Sequence, residues 1–196
     1  MPRRYIHGDL FEHEYDPART TVIAHVCNDQ GVMGSGFVVP LAKHFPWAKE
    51  AYVNWFKDNP LQADVELLGW HWNDEVGSPG RGQTQMVTVK NDESSSWHED
   101  RIVVANMVAQ DLGSERPLYY NDLVKCMEQV AHSDEIQCGG EIICPMFGSA
   151  LAGGDWRFIE ELITDCWLVR GIQVTVYYLE RFLDEDMIAY INSQGN

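Results

Sequence analysis

The chain has 196 residues, 45% of them hydrophobic, enough for one globular domain to bury a core without disulfide or metal staples. Its formal net charge of −16 excludes a broad electrostatic grip on DNA or RNA, which needs Lys and Arg to displace condensed counterions. A small anion remains compatible with that charge, because backbone amides bind phosphate without basic side chains.

Taken in chain order, short apolar runs rich in Val, Ile and Tyr predict strands at residues 5–6, 21–26, 86–89, 102–105, 141–144 and 173–179. Helix-length segments between them cover residues 36–44, 46–57, 118–132, 155–169 and 184–192. Tyr119, Leu123, Cys126, Met127 and Val130 share one helical face, as do Phe158, Ile159, Leu162, Ile163 and Cys166. Alternating strands and helices of this length indicate an α/β sandwich with a mostly parallel or mixed sheet. Residues 69–99 differ in texture, with a Gly/Pro turn at 77–82 that reads as a hairpin connection and a polar loop at 91–96. The whole chain, 1–196, reads as a single domain with this one atypical region.

The five cysteines, Cys27, Cys126, Cys138, Cys144 and Cys166, lack the paired spacing of a zinc site and read as reduced, mostly buried thiols. No cluster of carboxylates or histidines suggests a metal, and neither metal nor cofactor is expected. The first residues contain no apolar signal core, and no stretch reaches the roughly 20 apolar residues that span a bilayer. A soluble, cytoplasmic protein without membrane contact is the expectation.

Two glycine-rich turns follow apolar strands, and together they carry the functional signal. The first runs from His25-Val26-Cys27-Asn28 through Gly31, Gly34, Ser35 and Gly36; the second is Phe147-Gly148-Ser149-Ala150-Leu151-Ala152-Gly153-Gly154-Asp155. Glycine lets the backbone approach an anion and turn its N–H groups inward, so the pair predicts a cradle for a diphosphate or a phosphorylated ribose. The first turn fits neither a P-loop nor a dinucleotide fingerprint.

Individual polar residues have two readings each. Asp9, after the first strand, is either a turn or N-cap residue or an acceptor for the exocyclic amine of adenine. His25 and Cys27 share one strand face; His25 either transfers protons near neutral pH or is a buried histidine bonded to backbone. Asn28, where strand meets loop, can donate to and accept from ribose hydroxyls. Asp155 is either the N-cap of the following helix or a carboxylate that orients water beside the cradle. Most of the seven tryptophans read as core or rim, and of Tyr177 and Tyr178 one can face the crevice and cover an adenine.

Together, Gly8-Asp9-Leu10, His25-Val26-Cys27-Asn28 through Gly36, the strand at 102–106 and the segment 146–156 resemble a macro domain, over most of the chain. The His-x-Cys-Asn segment and Ala150-Leu151-Ala152-Gly153-Gly154 look most like the small stand-alone members that dephosphorylate ADP-ribose 1″-phosphate. The resemblance implies a three-layer α/β/α sandwich with a mixed, mostly parallel central sheet, binding an ADP-ribose derivative. It implies that Asp9 and Leu10 border the adenine, with Tyr178 covering it, and that Asn28 binds the distal ribose. Gly34, Ser35 and Gly36 would hold one side of the diphosphate, and Phe147, Gly148, Ser149, Ala150, Leu151 and Ala152 the other. His25, Asn28 and Asp155 would serve the chemistry. Related deacylating members use a lysine and an aspartate where this chain has Ala109 or Gln110 and Ala152, which argues against a lysine-adduct mechanism. Two alternatives share the pocket: removal of ADP-ribose from protein or nucleic acid, and binding of ADP-ribose without catalysis.

Overall fold

Eight residues from Thr21 to Asn28 form a strand in which every residue is buried, the mark of a central parallel strand covered on both faces. A computed structural model describes residues 4–58, 79–88 and 101–194. Six strands, β1 (Arg4–His7), β2 (Thr21–Asn28), β3 (Thr84–Thr88), β4 (Ile102–Gln110), β5 (Glu141–Pro145) and β6 (Gln173–Tyr178), form one sheet in the order β1-β6-β5-β2-β4-β3. Every neighbouring pair is parallel except β3 and β4.

The helices are α1 (Val38–His44), α2 (Pro46–Asp58), α3 (Tyr120–Ala131), α4 (Asp134–Gln137), α5 (Trp156–Cys166) and α6 (Glu185–Ser193). Strand alternation sorts them into layers. Val22, Ala24 and Val26 of β2 pack with Leu123, Met127, Ile159, Ile163 and Ile191, so α3, α5 and α6 cover one face. Ile23 packs with Leu10, Leu41 and Ala48, and Cys27 with Tyr52 and Trp55, so α1 and α2 cover the other. The result is the expected α/β/α sandwich.

Several boundaries differ from the sequence reading. β2 runs on to Asn28 and β4 to Gln110, because doubly covered strands tolerate the polar residues that pattern reading takes as their ends. Leu118 forms an isolated bridge with Gln110 instead of starting α3. The helix expected over 155–169 stops at Cys166, followed by a 3-10 turn, Leu168–Arg170, closed by Gly171 at φ 78°. The buried stripe of α5 is Trp156, Ile159, Glu160, Ile163 and Cys166, which leaves Phe158 exposed and edge-on to Tyr120 at 4.7 Å. Tyr119 is likewise exposed, because it precedes α3 rather than lying on its buried face.

Of residues 69–99, only 79–88 are described; they contain a turn and β3, and the polar loop at 91–96 lies outside the described residues. Trp70, Trp72 and Trp97 lie outside them too, whereas Trp55, Trp156 and Trp167 are buried and Trp47 is exposed. All five cysteines are free, and Cys138 alone of them is exposed. Among the described residues no helix is long and apolar enough to cross a membrane.

Candidate functional site

Because five strands run parallel, their C-terminal ends share one edge of the sheet. The loop after β2 (residues 29–37) leads to α1 on one face, and the loop after β5 (residues 146–155) leads to α5 on the other. β2 and β5 are paired neighbours, so a crevice opens between two connections that leave in opposite directions. The loops close over it: a Cβ built on Gly36 would lie 3.2 Å from Leu151 Cδ1. The first loop therefore touches the second where glycine leaves room.

Local interactions shape both loops so that their amides stay unbonded. At the end of β2 the register with β4 shifts between Cys27 and Asn28, a bulge that re-aims the Asn28 side chain. Asn28 Oδ1 accepts from the N–H groups of Gln30 at 3.0 Å and Val32 at 3.2 Å, and its Nδ2 donates to the Val32 carbonyl. In the second loop Gly148 has φ 76°, and Gly154 donates to its carbonyl at 2.8 Å. The Leu118 N–H donates to the Ala152 carbonyl at 3.2 Å, and Ser149 Oγ donates to the Met146 carbonyl at 3.0 Å. Among the described residues no acceptor meets the N–H groups of Gly34, Ser35, Gly36 and Phe37, or those of Gly148, Ser149, Ala150, Leu151 and Ala152. Facing runs of unbonded amides favour an anion, and neither loop contributes a Lys or Arg.

Several expected side-chain roles change on the structure. Asn28 spends two acceptor positions and one donor inside its own loop, leaving one amide proton for a ligand. Leu10, Phe147 and Ala152 are buried, Phe147 edge-on to Trp156 and Trp167, so only their backbones are available to a ligand. Asp155 caps α5: its Oδ1 accepts from the Arg157 N–H at 2.9 Å, and its own N–H donates to the Tyr120 hydroxyl at 2.8 Å. Asp9 likewise caps the 3-10 turn Leu10–Glu12 through Phe11, with its side chain exposed. Asp9 and Tyr178 are brought together, since the Gly8 N–H donates to the Tyr178 carbonyl at 3.1 Å. Tyr177 is buried with its hydroxyl 2.7 Å from His13 Nδ1; Tyr178 is half-buried against His7.

His25 is the largest correction. The ring is 1% exposed and does not open on the crevice. Its Nε2 lies 2.7 Å from Asn106 Oδ1, a side-chain partner in addition to the Val26 backbone bond that the buried reading expected. Asn106 Nδ2 donates to Gln85 Oε1 at 3.1 Å, which makes Oδ1 the acceptor and Nε2 the protonated nitrogen of His25. Burial outweighs the Asn106 and Val26 hydrogen bonds and pushes the pKa down to about 4, so the ring is neutral near pH 7. Its link to the first loop is through Phe37, 5.7 Å away between ring centres.

Sequence reasoning missed Asn106 as this partner, although an amide inside the apolar run of β4 is the signal that marks it. It also missed Arg81, which sits against Asp29, Asp111 and Asp122 beside the first loop. Among the described residues no group of three His, Cys, Asp or Glu side chains could hold a metal ion.

Fold and site together define an α/β/α sandwich with a crevice, bordered by unbonded backbone amides, at the C-terminal edge of its sheet. No family model matches the chain. A macrodomain protein from Streptomyces coelicolor is 31% identical, with a TM-score of 0.66 over 89% of this chain and 97% of that one. The chain belongs to the macrodomain family. A protein of unknown function from Bacteroides thetaiotaomicron has a TM-score of 0.71 at 28% identity, covering 91% of this chain and 99% of that one. A Lodderomyces elongisporus protein named ADP-ribose 1″-phosphate phosphatase is 36% identical over 68 residues, 35% of this chain and 42% of that protein. The chain spans between 36% and 61% of the length of the curated relatives it matches, all of that name.

Proposed function

We propose that this protein binds ADP-ribose derivatives and hydrolyses the terminal phosphate of ADP-ribose 1″-phosphate. The observation that carries the reading is the pair of unbonded amide runs that meet where Gly36 touches Leu151. The diphosphate sits between Gly34–Phe37 and Gly148–Ala152, held by N–H groups that have no acceptor among the described residues. Asp9 and Tyr178, side by side at the far end of the sheet edge, take the adenine. The remaining amide proton of Asn28 reaches the distal ribose.

In the reaction, a water oxygen bonds to phosphorus as the bond to the ester oxygen on C1″ breaks. Phosphate leaves carrying the water oxygen, and the ester oxygen takes up the proton that the water gives up, ending as the ribose hydroxyl. Amide donors stabilise charge on the phosphoryl oxygens, and positioning supplies the rest of the acceleration. His25 acts as a positioning residue beneath Phe37, and the second oxygen of Asp155 orients the water.

The test combines binding and turnover. ADP-ribose at a hundred times its dissociation constant adds about 2.7 kcal/mol of stability, so it raises the melting temperature more than ATP or NAD does. Incubation with ADP-ribose 1″-phosphate releases inorganic phosphate; incubation with a protein ADP-ribosylated on carboxylates releases nothing. The buried, neutral His25 and the capping role of Asp155 favour one second reading, in which the site binds ADP-ribose without turnover. Stabilisation by ADP-ribose with no phosphate release selects it.

A further inference from the structure

Three carboxylates from three segments converge on one guanidinium beside the crevice. Arg81 Nη1 lies 3.2 Å from Asp111 Oδ2, and Arg81 Nε lies 3.9 Å from Asp29 Oδ2 and 3.8 Å from Asp122 Oδ2. Its guanidinium carbon is 4.2 Å from the centre of the Tyr119 ring. Asp29 opens the first amide loop, Asp111 opens the loop after β4, and Asp122 lies in the first turn of α3. The backbone that presents Arg81 is fixed in turn. The Gly82 N–H donates to the Val108 carbonyl at 2.8 Å, and the Gly82 carbonyl accepts from Gln129 Nε2 at 2.7 Å. At φ 84° and with Lys125 Cδ only 3.0 Å from a built Cβ, position 82 admits glycine and little else.

We propose that Arg81 is a positioning residue for the site, pinning the first amide loop to the β4 loop and cancelling carboxylate charge that would oppose an anionic ligand. The inference rests on the reading that these loops bind a phosphate-bearing ligand. Two backbone links already seat the root of the loop: the Asp29 N–H donates to the Gln110 carbonyl at 2.9 Å, and the Tyr52 hydroxyl donates to the Asn28 carbonyl. The side chain of Asp29 is the part that Arg81 faces. Its Oδ1 is buried with no hydrogen-bond partner among the described residues. Burial and the Asp111 charge push its carboxyl up, against backbone hydrogen bonds from its own residue and Leu112 and the pull of the Arg81 charge.

The groups facing this cluster are Asp111, Asp122, Lys125 at 3.0 Å from Asp122, Tyr119 and the Tyr52 phenol. Without Arg81, Lys125 beside Asp122 is the cation left to the three carboxylates among the described residues. The root of the first loop then becomes strongly negative, in a chain that must attract an anion through backbone amides.

Calorimetric titration of ADP-ribose into wild type, Arg81→Ala, Arg81→Lys and the double variant Arg81→Ala/Asp29→Asn tests this. Arg81→Ala weakens binding about tenfold at about pH 8, and the loss narrows as the pH falls and the raised Asp29 carboxyl takes up a proton. Asp29→Asn in the Arg81→Ala background restores most of the affinity at the higher pH, and Arg81→Lys loses less than Arg81→Ala. A loss that is the same at every pH and is not restored by Asp29→Asn overturns the proposal, as does no loss at all. Should wild type bind no ADP-ribose derivative, the functional reading fails on its own, and the clamp is read from amide NMR signals of Gly34 and Gly36. In Arg81→Ala these shift with a midpoint above the ordinary carboxylate range, and Asp29→Asn abolishes the shift; signals indifferent to both changes overturn the clamp.

Discussion

Acidification probes His25 in both stability and catalysis. Burial holds the native imidazole neutral, with a pKa pushed down to about 4 from an ordinary 6.5. Below the ordinary value the unfolded chain gains a proton that the native state does not, so stability is fully present above pH 6.5 and falls as pH drops toward about 4. A window of about 2.5 units at about 1.36 kcal/mol each removes about 3 kcal/mol, a large share of a domain stability of about 5–15 kcal/mol. His25→Gln keeps a donor for Asn106 Oδ1 and has nothing to protonate. At neutral pH it costs about 1–2 kcal/mol through lost ring packing against Phe37. Urea midpoints for wild type and variant, measured from about pH 7.5 to about pH 4, therefore start apart and converge or cross. Carboxylates titrate in both proteins, so the difference curve isolates the histidine. Parallel curves refute the burial argument. Phosphate release supplies a second check: a buried neutral ring gives no inflection near its ordinary pKa. A catalytic limb there that His25→Gln removes would show the ring opening onto the crevice and transferring protons.

The other expectations concern the loops and the last helix. Gly154→Ala places a Cβ 2.4 Å from Leu118 Cδ2 and 2.7 Å from the Gly148 carbonyl oxygen. It lowers stability by about 1–3 kcal/mol in thermal melts and weakens ligand binding in calorimetry, because the second loop must shift to admit the methyl group. Gly36→Ala, at φ 71°, costs about 1–2 kcal/mol from backbone conformation alone. Adding Leu151→Ala relieves the contact and recovers affinity but not that stability, since the backbone term remains. Glu160→Ala removes a buried carboxylate that accepts from the hydroxyls of Tyr5 and Tyr190. The expected loss is about 3 kcal/mol by urea denaturation, with Glu160→Gln losing less, and protease cleavage should reach α6 first because Tyr190 anchors it.

The six strands and the order of helices were legible because β-branched runs and helical stripes are local patterns. The crevice was legible for a related reason: glycine at a strand-to-helix turn constrains backbone donors, and backbone donors need no side chain to be recognised. What the sequence concealed was how each polar side chain near the crevice is occupied. Asn28, Asp9 and Asp155 all stand at junctions where helical or loop N–H groups are left without partners, and each satisfies its own backbone neighbours. At such junctions the local bond forms first because it is two to four residues away. His25 was ambiguous for the opposite reason, since its partner Asn106 is 81 positions along the chain and meets it through the pairing of β2 with β4. Arg81 combines both difficulties, with partners 30 to 52 residues away on either side, reached through the β3–β4 hairpin and α3. Its carboxylates, scattered in sequence, become one cluster only when the sheet is closed. The crevice thus draws on two kinds of sequence information: local glycine chemistry that shapes its loops, and long-range charge pairing that, on the proposal made for Arg81, keeps its surroundings from repelling an anionic ligand.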